Sequence, residues 1–216
     1  MNIEYYDGIY IDIFGSAPIR IINNFKYLSF KIRNTSFIAT DFDDLTIHNT
    51  STLTQDQAQQ FTWAKDALIN YKLQINLPLT IIEIENQQIF QCKSNLQIEM
   101  HQTVYSAHLD FELAGQCYLA SHNDFEGLFD QIQRQFQGKY RFKNCYGCLY
   151  ADYSVYGQAQ MGSMGCFKQQ KSNYLAVKNK DDYMQLDAVD FCNQEIYCCE
   201  DYTIRDQQVG YRGTID

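Results

Sequence analysis

Leu73-Gln74-Ile75-Asn76-Leu77-Pro78-Leu79-Thr80-Ile81-Ile82-Glu83-Ile84 sets the reading of the fold. Leucine and isoleucine recur at 73, 75, 77, 79 and 81. That period of two puts all five on one face of a β-strand. Pro78 falls on the other face and lacks the amide that a central ladder needs, which predicts an edge strand or a bulge. Asn86-Gln87-Gln88 turns the chain into two further runs, 89–92 and 96–100. Residues 108–113 alternate again, Gly115 breaks them, and 117–120 resume. The pattern is an antiparallel meander.

Upstream, Ile9, Ile11 and Ile13 alternate with Tyr10 and Asp12. Residues 19–25 and 27–32 are rich in β-branched and aromatic side chains, with a break at Asn23-Asn24. Thr54-Gln55-Asp56-Gln57 has the form of a capping box, and a helix from there to about residue 70 is expected. Downstream, Phe125, Leu128, Phe129, Ile132 and Phe136 make one apolar stripe at steps of three and four. This is the clearest helix, at 124–137. Ser121 or Asn123 can cap it, and Gly138 ends it. The fold class is α+β: mainly antiparallel β, one packed helix, and a metal-stapled C-terminal region. Two domains are expected, an acidic β-rich 1–137 and a Cys-rich, zinc-ribbon-like 138–216.

Charge follows the same division. Of the 216 residues, 26 are acidic and 17 basic, and the net charge is −9. The first 137 residues carry 16 acids and 8 bases, so nearly all of the imbalance lies there. Such a chain repels a phosphate backbone unless a basic patch is concentrated locally, so nucleic-acid binding is disfavoured. Acidity suits docking onto a basic protein partner, with Asp41, Asp43 and Asp44 as the candidate contact turn. These aspartates lack the alternating oxygens, glycine and distal glutamate of a calcium loop. The N-terminus has no basic start or apolar middle of a signal peptide, and no run is long enough to span a bilayer, so a cytoplasmic location is expected.

A reducing compartment disfavours disulfides among the eight cysteines. Cys145-Tyr146-Gly147-Cys148 is a C-x-x-C knuckle, whose turn lets two thiolates face one ion. Cys166 and Cys199 complete a candidate four-sulfur set that favours zinc or iron. Cys198 competes with Cys199, Cys192 is weaker, and Cys92 and Cys117 read as core residues on strands. Four thiolates leave no open coordination position, so a full set is a staple, not a catalytic centre. None of His48, His101, His108 and His122 forms a metal-binding spacing. Asp152-Tyr153-Ser154 reads as a turn in which Asp152 and Ser154 bond nearby amides, with Arg212 as a partner for Asp152. Gly162-Ser163-Met164-Gly165 lacks the lysine of a phosphate loop.

Several of these residues form one ordered pattern. Phe125-Glu126-Gly127-Leu128 is followed by Cys145-x-x-Cys148-x-x-x-Asp152-Tyr153-Ser154-x-Tyr156-Gly157 and by Gly162-x-Met164-x-Cys166-Phe167. Lys180-Asp181-Asp182-Tyr183, Glu195-x-Tyr197-x-Cys199 and Gly210-Tyr211-Arg212-Gly213 complete it. The pattern resembles an uncharacterised bacterial family of domain-of-unknown-function proteins, over about residues 124–213 and more weakly at Leu77-Pro78-Leu79. Ala151 and Val155 depart from the family's usual serine and proline. The resemblance selects Cys199 as the fourth ligand. The family has no established activity; the resemblance implies that some members sit beside polymorphic toxin genes as immunity proteins, as in contact-dependent inhibition. The expected function is therefore a cytosolic immunity protein that neutralises a cognate toxin by direct binding, with a structural zinc site built from four cysteines. The alternatives are a zinc-dependent hydrolase with an open metal position and Asp152 or Glu195 as base, or a zinc-ribbon nucleic-acid module.

Overall fold

The computed structural model describes residues 3–47, 53–102, 104–155, 160–162, 164–187, 189 and 193–212. The meander is present. Strands β1 (Glu4–Asp12), β2 (Gly15–Asn23), β3 (Leu28–Ile32), β4 (Thr35–Ala39) and β5 (Thr46–Ile47) are followed by a single helical turn, α1 (Gln55–Ala58). Then come β6 (Trp63–Ala64), β7 (Ala67–Leu68), β8 (Tyr71–Glu83), β9 (Ile89–His101), β10 (Val104–Leu113) and β11 (Gln116–His122). The sheet runs β11-β10-β9-β8-β1-β2-β3-β4-β5-β7-β6, and a short strand β12 (Tyr140–Phe142) also pairs with β8. Strand β8 buries the predicted face: Leu73, Ile75, Leu77, Leu79 and Ile81 are each at most 1 % exposed.

Pro78 lies on the solvent face of β8. β1 pairs with β8 only through residues 72–75, and β12 pairs with residues 81–83. Pro78 sits in the gap between these pairings, so its missing amide leaves neither ladder short. The chain's two compact units also part there. One comprises Met1–Pro78 with Lys93–Asp124, the other Leu79–Cys92 with Phe125–Asp216. The division is therefore not at residue 138. The helix α2 (Phe125–Gln135) belongs with the C-terminal unit, because its stripe packs there. Phe129 meets Phe142 at 4.7 Å and Tyr146 at 5.1 Å between ring centres, and Phe136 meets Phe142 at 5.4 Å.

One expectation fails locally. The capping box at Thr54 forms as read, with Thr54 and Gln57 capping each other's backbone amides. The helix nevertheless stops at Ala58. Trp63 donates its indole N–H to the Ala58 carbonyl, and Phe61 turns into an aromatic cluster with Phe37 and Trp63. The chain continues as the β6–β7 hairpin, with Lys65 in the left-handed region. In β1 the inward residues are Tyr6 and Tyr10, whereas Ile9 and Ile13 face solvent. Tyr10 stacks on Tyr71 and lies under Arg33, whose guanidinium clamps the buried Asp12 with two hydrogen bonds.

The second unit adds β13 (Ala151–Tyr153), β14 (Met164–Cys166), α3 (Lys171–Leu175) and α4 (Lys180–Met184). Phe167, Tyr174, Val177 and Tyr183 form a small apolar cluster within it. Irregular chain makes up much of the rest.

Gly8 opens the paired stretch of β1 against β8. A methyl group there would collide with the Gln74 carbonyl of the paired strand. Gly8→Ala should therefore cost about 2 kcal/mol or more in a denaturant melt. A change within about 0.5 kcal/mol would mean that this close approach is relieved at no cost.

Candidate metal centre

The knuckle begins just after β12. Asn144 Oδ1 accepts from the Gly147 amide at 3.1 Å, and the Cys148 amide donates to the Cys145 carbonyl at 3.1 Å, closing a tight turn. Gly147 is required by space, because a methyl group would strike the Phe142 carbonyl. The downstream segment 195–205 runs beside this turn. The Cys145 amide donates to Tyr197 O at 2.6 Å, the Tyr146 amide to Glu195 O at 3.0 Å and the Leu149 amide to Thr203 O at 2.7 Å. On the other flank, β13 and β14 place Ala151 opposite Cys166. Distant parts of the chain thus bring Cys145, Cys148, Cys166 and Cys199 to one neighbourhood.

The thiols act on one another. Burial holds the Cys145 thiol well above its ordinary range, and Cys148, Cys166, Cys199 and Cys198 push it further. Burial also raises Cys148, but the amides of Thr203 and Tyr150 donate to its sulfur and oppose that rise. Amide donors aimed at a buried sulfur favour its thiolate form, which is the form that binds metal. The Cys198 sulfur instead faces the Lys143 ammonium at 3.5 Å. Among the described residues, no three His, Cys, Asp or Glu side chains are gathered closely enough to hold an ion as they stand. Cys92 is buried in β9 as expected, but Cys117 is exposed on β11 and is not a core residue. Cys192 and His48 lie outside the described residues.

Beside the knuckle is a dense polar brace. Asp152 is fully buried, and it does more than hold its own turn. One carboxylate oxygen accepts from the Tyr153 amide, the other from the Tyr174 hydroxyl at 2.8 Å and the amides of Tyr211 and Arg212. Arg212 therefore meets Asp152 through its backbone. Its guanidinium donates to the Tyr146 carbonyl and lies over the rings of Tyr146 and Tyr153. Gly210 precedes it because any side chain would strike Tyr174 and Asp152. Arg205, which no sequence motif marks, is completely buried. It donates to the carbonyls of Cys148, Leu149, Ala151 and Val209 and to the Tyr174 hydroxyl.

Glu195 is also fully buried, and burial pushes its carboxyl up to about 7. One oxygen accepts from the Gly162 amide at 2.8 Å. The other has no hydrogen bond, and neither do the Tyr153 hydroxyl or two of the guanidinium nitrogens of Arg212. Tyr153 stands beside the Glu195 carboxyl without hydrogen-bond geometry. The other acids and bases singled out in sequence are ordinary by comparison. His101 meets Asn70, His108 meets Ser121 and Asp110, and His122 meets Asp124. In the acidic turn only Asp43 and Asp44 face solvent. Asp41 is turned inward, and its carboxylate accepts from the amides of both.

Residues 4–151 match the model of a family of unknown function (DUF6304). That span holds the sheet, α2 and the C-x-x-C knuckle, and stops short of Cys166 and Cys199. No curated protein and no solved structure matches the chain.

Burial, with the neighbouring Asp43 carboxylate adding to it, pushes Asp41 up from 3.8 to about 8. In the unfolded chain the group ionises near its ordinary value, so between these limits the folded state holds the extra proton. Stability from this group is complete below about pH 4 and is lost as pH rises to about 8. Glu195 acts in the same direction up to about 7. Thermal melts of Asp41→Asn, which keeps the oxygen that accepts the two amides, should show a flatter decline across that window than the parent chain. An equally steep decline would clear Asp41 of the effect.

Proposed function

The chain belongs to the DUF6304 family, and we propose that it is a binding protein whose second unit is fastened by a structural zinc ion on Cys145, Cys148, Cys166 and Cys199. One observation carries the zinc reading: the Cys148 sulfur, close to three other thiols, receives the Thr203 and Tyr150 amides. Soft thiolates in a set of four suit zinc, and a closed set serves the fold. Zinc would add a cross-link to the hydrogen bonds and aromatic packing of this loop-rich unit. Cys198, held by Lys143, is left out of the set.

The binding role is that of an immunity protein acting on a basic toxin domain. It rests on the acidic excess of the first 137 residues and on the solvent-facing Asp43 and Asp44. A second reading, a hydrolase, is favoured by the buried Glu195 carboxyl beside Tyr153 and Arg212, because perturbed acids with unused hydrogen-bonding atoms gather at catalytic sites. That reading needs an open metal position and hence only three cysteine ligands.

Protein purified without chelator should carry one zinc per chain with four protected thiols. Serine at 145, 148, 166 or 199 should abolish zinc binding and lower Tm by roughly 10 °C, while Cys198→Ser should keep the metal. Three protected thiols would favour the hydrolase, and no metal would end the zinc reading. For the binding role, co-expression should relieve the toxicity of a toxin domain encoded beside the gene. Lysine at both 43 and 44 should slow association several-fold at low salt. A neighbourhood that encodes no toxin would overturn the immunity role.

A further inference from the structure

The outer face of the β1–β2 hairpin carries apolar side chains where a solvated sheet would carry polar ones. Ile3, Tyr5, Ile9, Ile13, Phe14 and Ile22 are between 40 % and 77 % exposed. The strand register sets Tyr5 beside Ile22, Ile9 beside exposed Pro18, and Ile11 beside Ser16. Exposed apolar patches of this kind, typically about 300–600 Å² when they are the largest on a monomer, are often functional. Such a patch on one sheet face marks a surface that something covers.

The charges on the patch say what covers it. In the middle of the stripe Asp7 and Arg20 are register partners and pair at 2.6 Å, both well exposed. On the adjoining β8 and β9, Lys72 and Glu99 pair at 2.7 Å. The face is therefore locally neutral although the whole chain carries −9. A basic partner finds no unpaired negative field here. A second copy of the same face finds both its apolar complement and its charge complement.

We propose that this hairpin face is a self-association surface, on which a second copy of the chain docks with Asp7 of one copy on Arg20 of the other. The register selects the symmetry. Two sheets packed face to face are related by a twofold axis lying in the interface. An axis across the strands at residue 7 would put Asp7 on Asp7. An axis along the strands, between β1 and β2, exchanges the two strands. It puts Asp7 on Arg20, Tyr5 on Ile22 and Ile9 on Pro18, because each of these is already a register pair. Closed, isologous contacts of this kind are the commonest form of oligomer. Patches in that range fall short of the ~800 Å² per partner of a standard interface, so the dimer is a weak one of micromolar order.

Sedimentation velocity on the full chain, from low micromolar to several hundred micromolar, tests this. The parent chain should pass from monomer to dimer. Asp7→Arg alone and Arg20→Asp alone each place like charges across the axis, and each should remain monomeric. An equimolar mixture of those two variants restores opposite charges across the axis and should dimerise. Ile9→Asp should also be monomeric, with an unchanged circular dichroism spectrum. A parent chain that stays monomeric throughout would overturn the proposal. So would variants that dimerise as the parent does, or a mixture that stays apart.

Discussion

Buried backbone must be hydrogen-bonded, and in the second unit one guanidinium meets much of that demand. The stretch 148–151 has its carbonyls turned inward, away from water and outside any long ladder. Arg205 takes three of them, together with the Val209 carbonyl. An unsatisfied buried carbonyl costs on the order of 1–3 kcal/mol, so removing these donors would leave this chain path unfavourable. Burying the cation has its own cost. The Tyr174 hydroxyl offsets part of it by accepting from Arg205 and donating to Asp152, which places a buried carboxylate one hydroxyl away from the buried charge. Asp152 then commits its remaining capacity to the amides at 153, 211 and 212.

This brace holds the backbone at Cys148 and beside Cys166. Arg205 grips the chain at Cys148, and β13 continues from the same stretch to set Ala151 opposite Cys166. Hydrogen bonds of the surrounding backbone bring these stretches of chain side by side. A metal would relieve the cost of ionising the two buried thiols, Cys145 and Cys148.

The strand β8 and the helix α2 were legible because each buries one face against a single environment, and such a face leaves its period in the sequence. The capping box was legible because it is a local exchange between Thr54 and Gln57. The continuation of that helix was misread because Phe61 and Trp63 answer to Phe37, which is far away in sequence. The inward face of β1 was hidden for a related reason. Tyr10 and Ile9 are both β-formers, and only the contacts of Tyr10 with Tyr71 and Arg33 decide which one turns inward. At the site, C-x-x-C is a local turn and can be read directly. Arg205 cannot, because its partners at 148, 149 and 151 lie far upstream and impose no spacing on its own neighbours. Arg212 was legible as a partner of Asp152, but only its backbone amide fills that role, since its side chain finds two aromatic faces.

Tyr146 shows how these parts combine, because a single residue inside the knuckle is held at every polar atom. Its amide donates to the Glu195 carbonyl, its carbonyl accepts from Arg212, and its hydroxyl donates to Asp130 on α2 at 2.5 Å. Its ring carries the Arg212 guanidinium on one face and packs against Phe129 and Phe142. A movement of the thiols flanking Tyr146 must therefore strain α2, the 195–205 segment and the C-terminal arginine together. The converse also holds. Any group that engaged the unused atoms of Glu195, Tyr153 or Arg212 would act on the knuckle through the same residue. The C-x-x-C turn and the residues around Glu195 thus share one set of contacts, made through Tyr146.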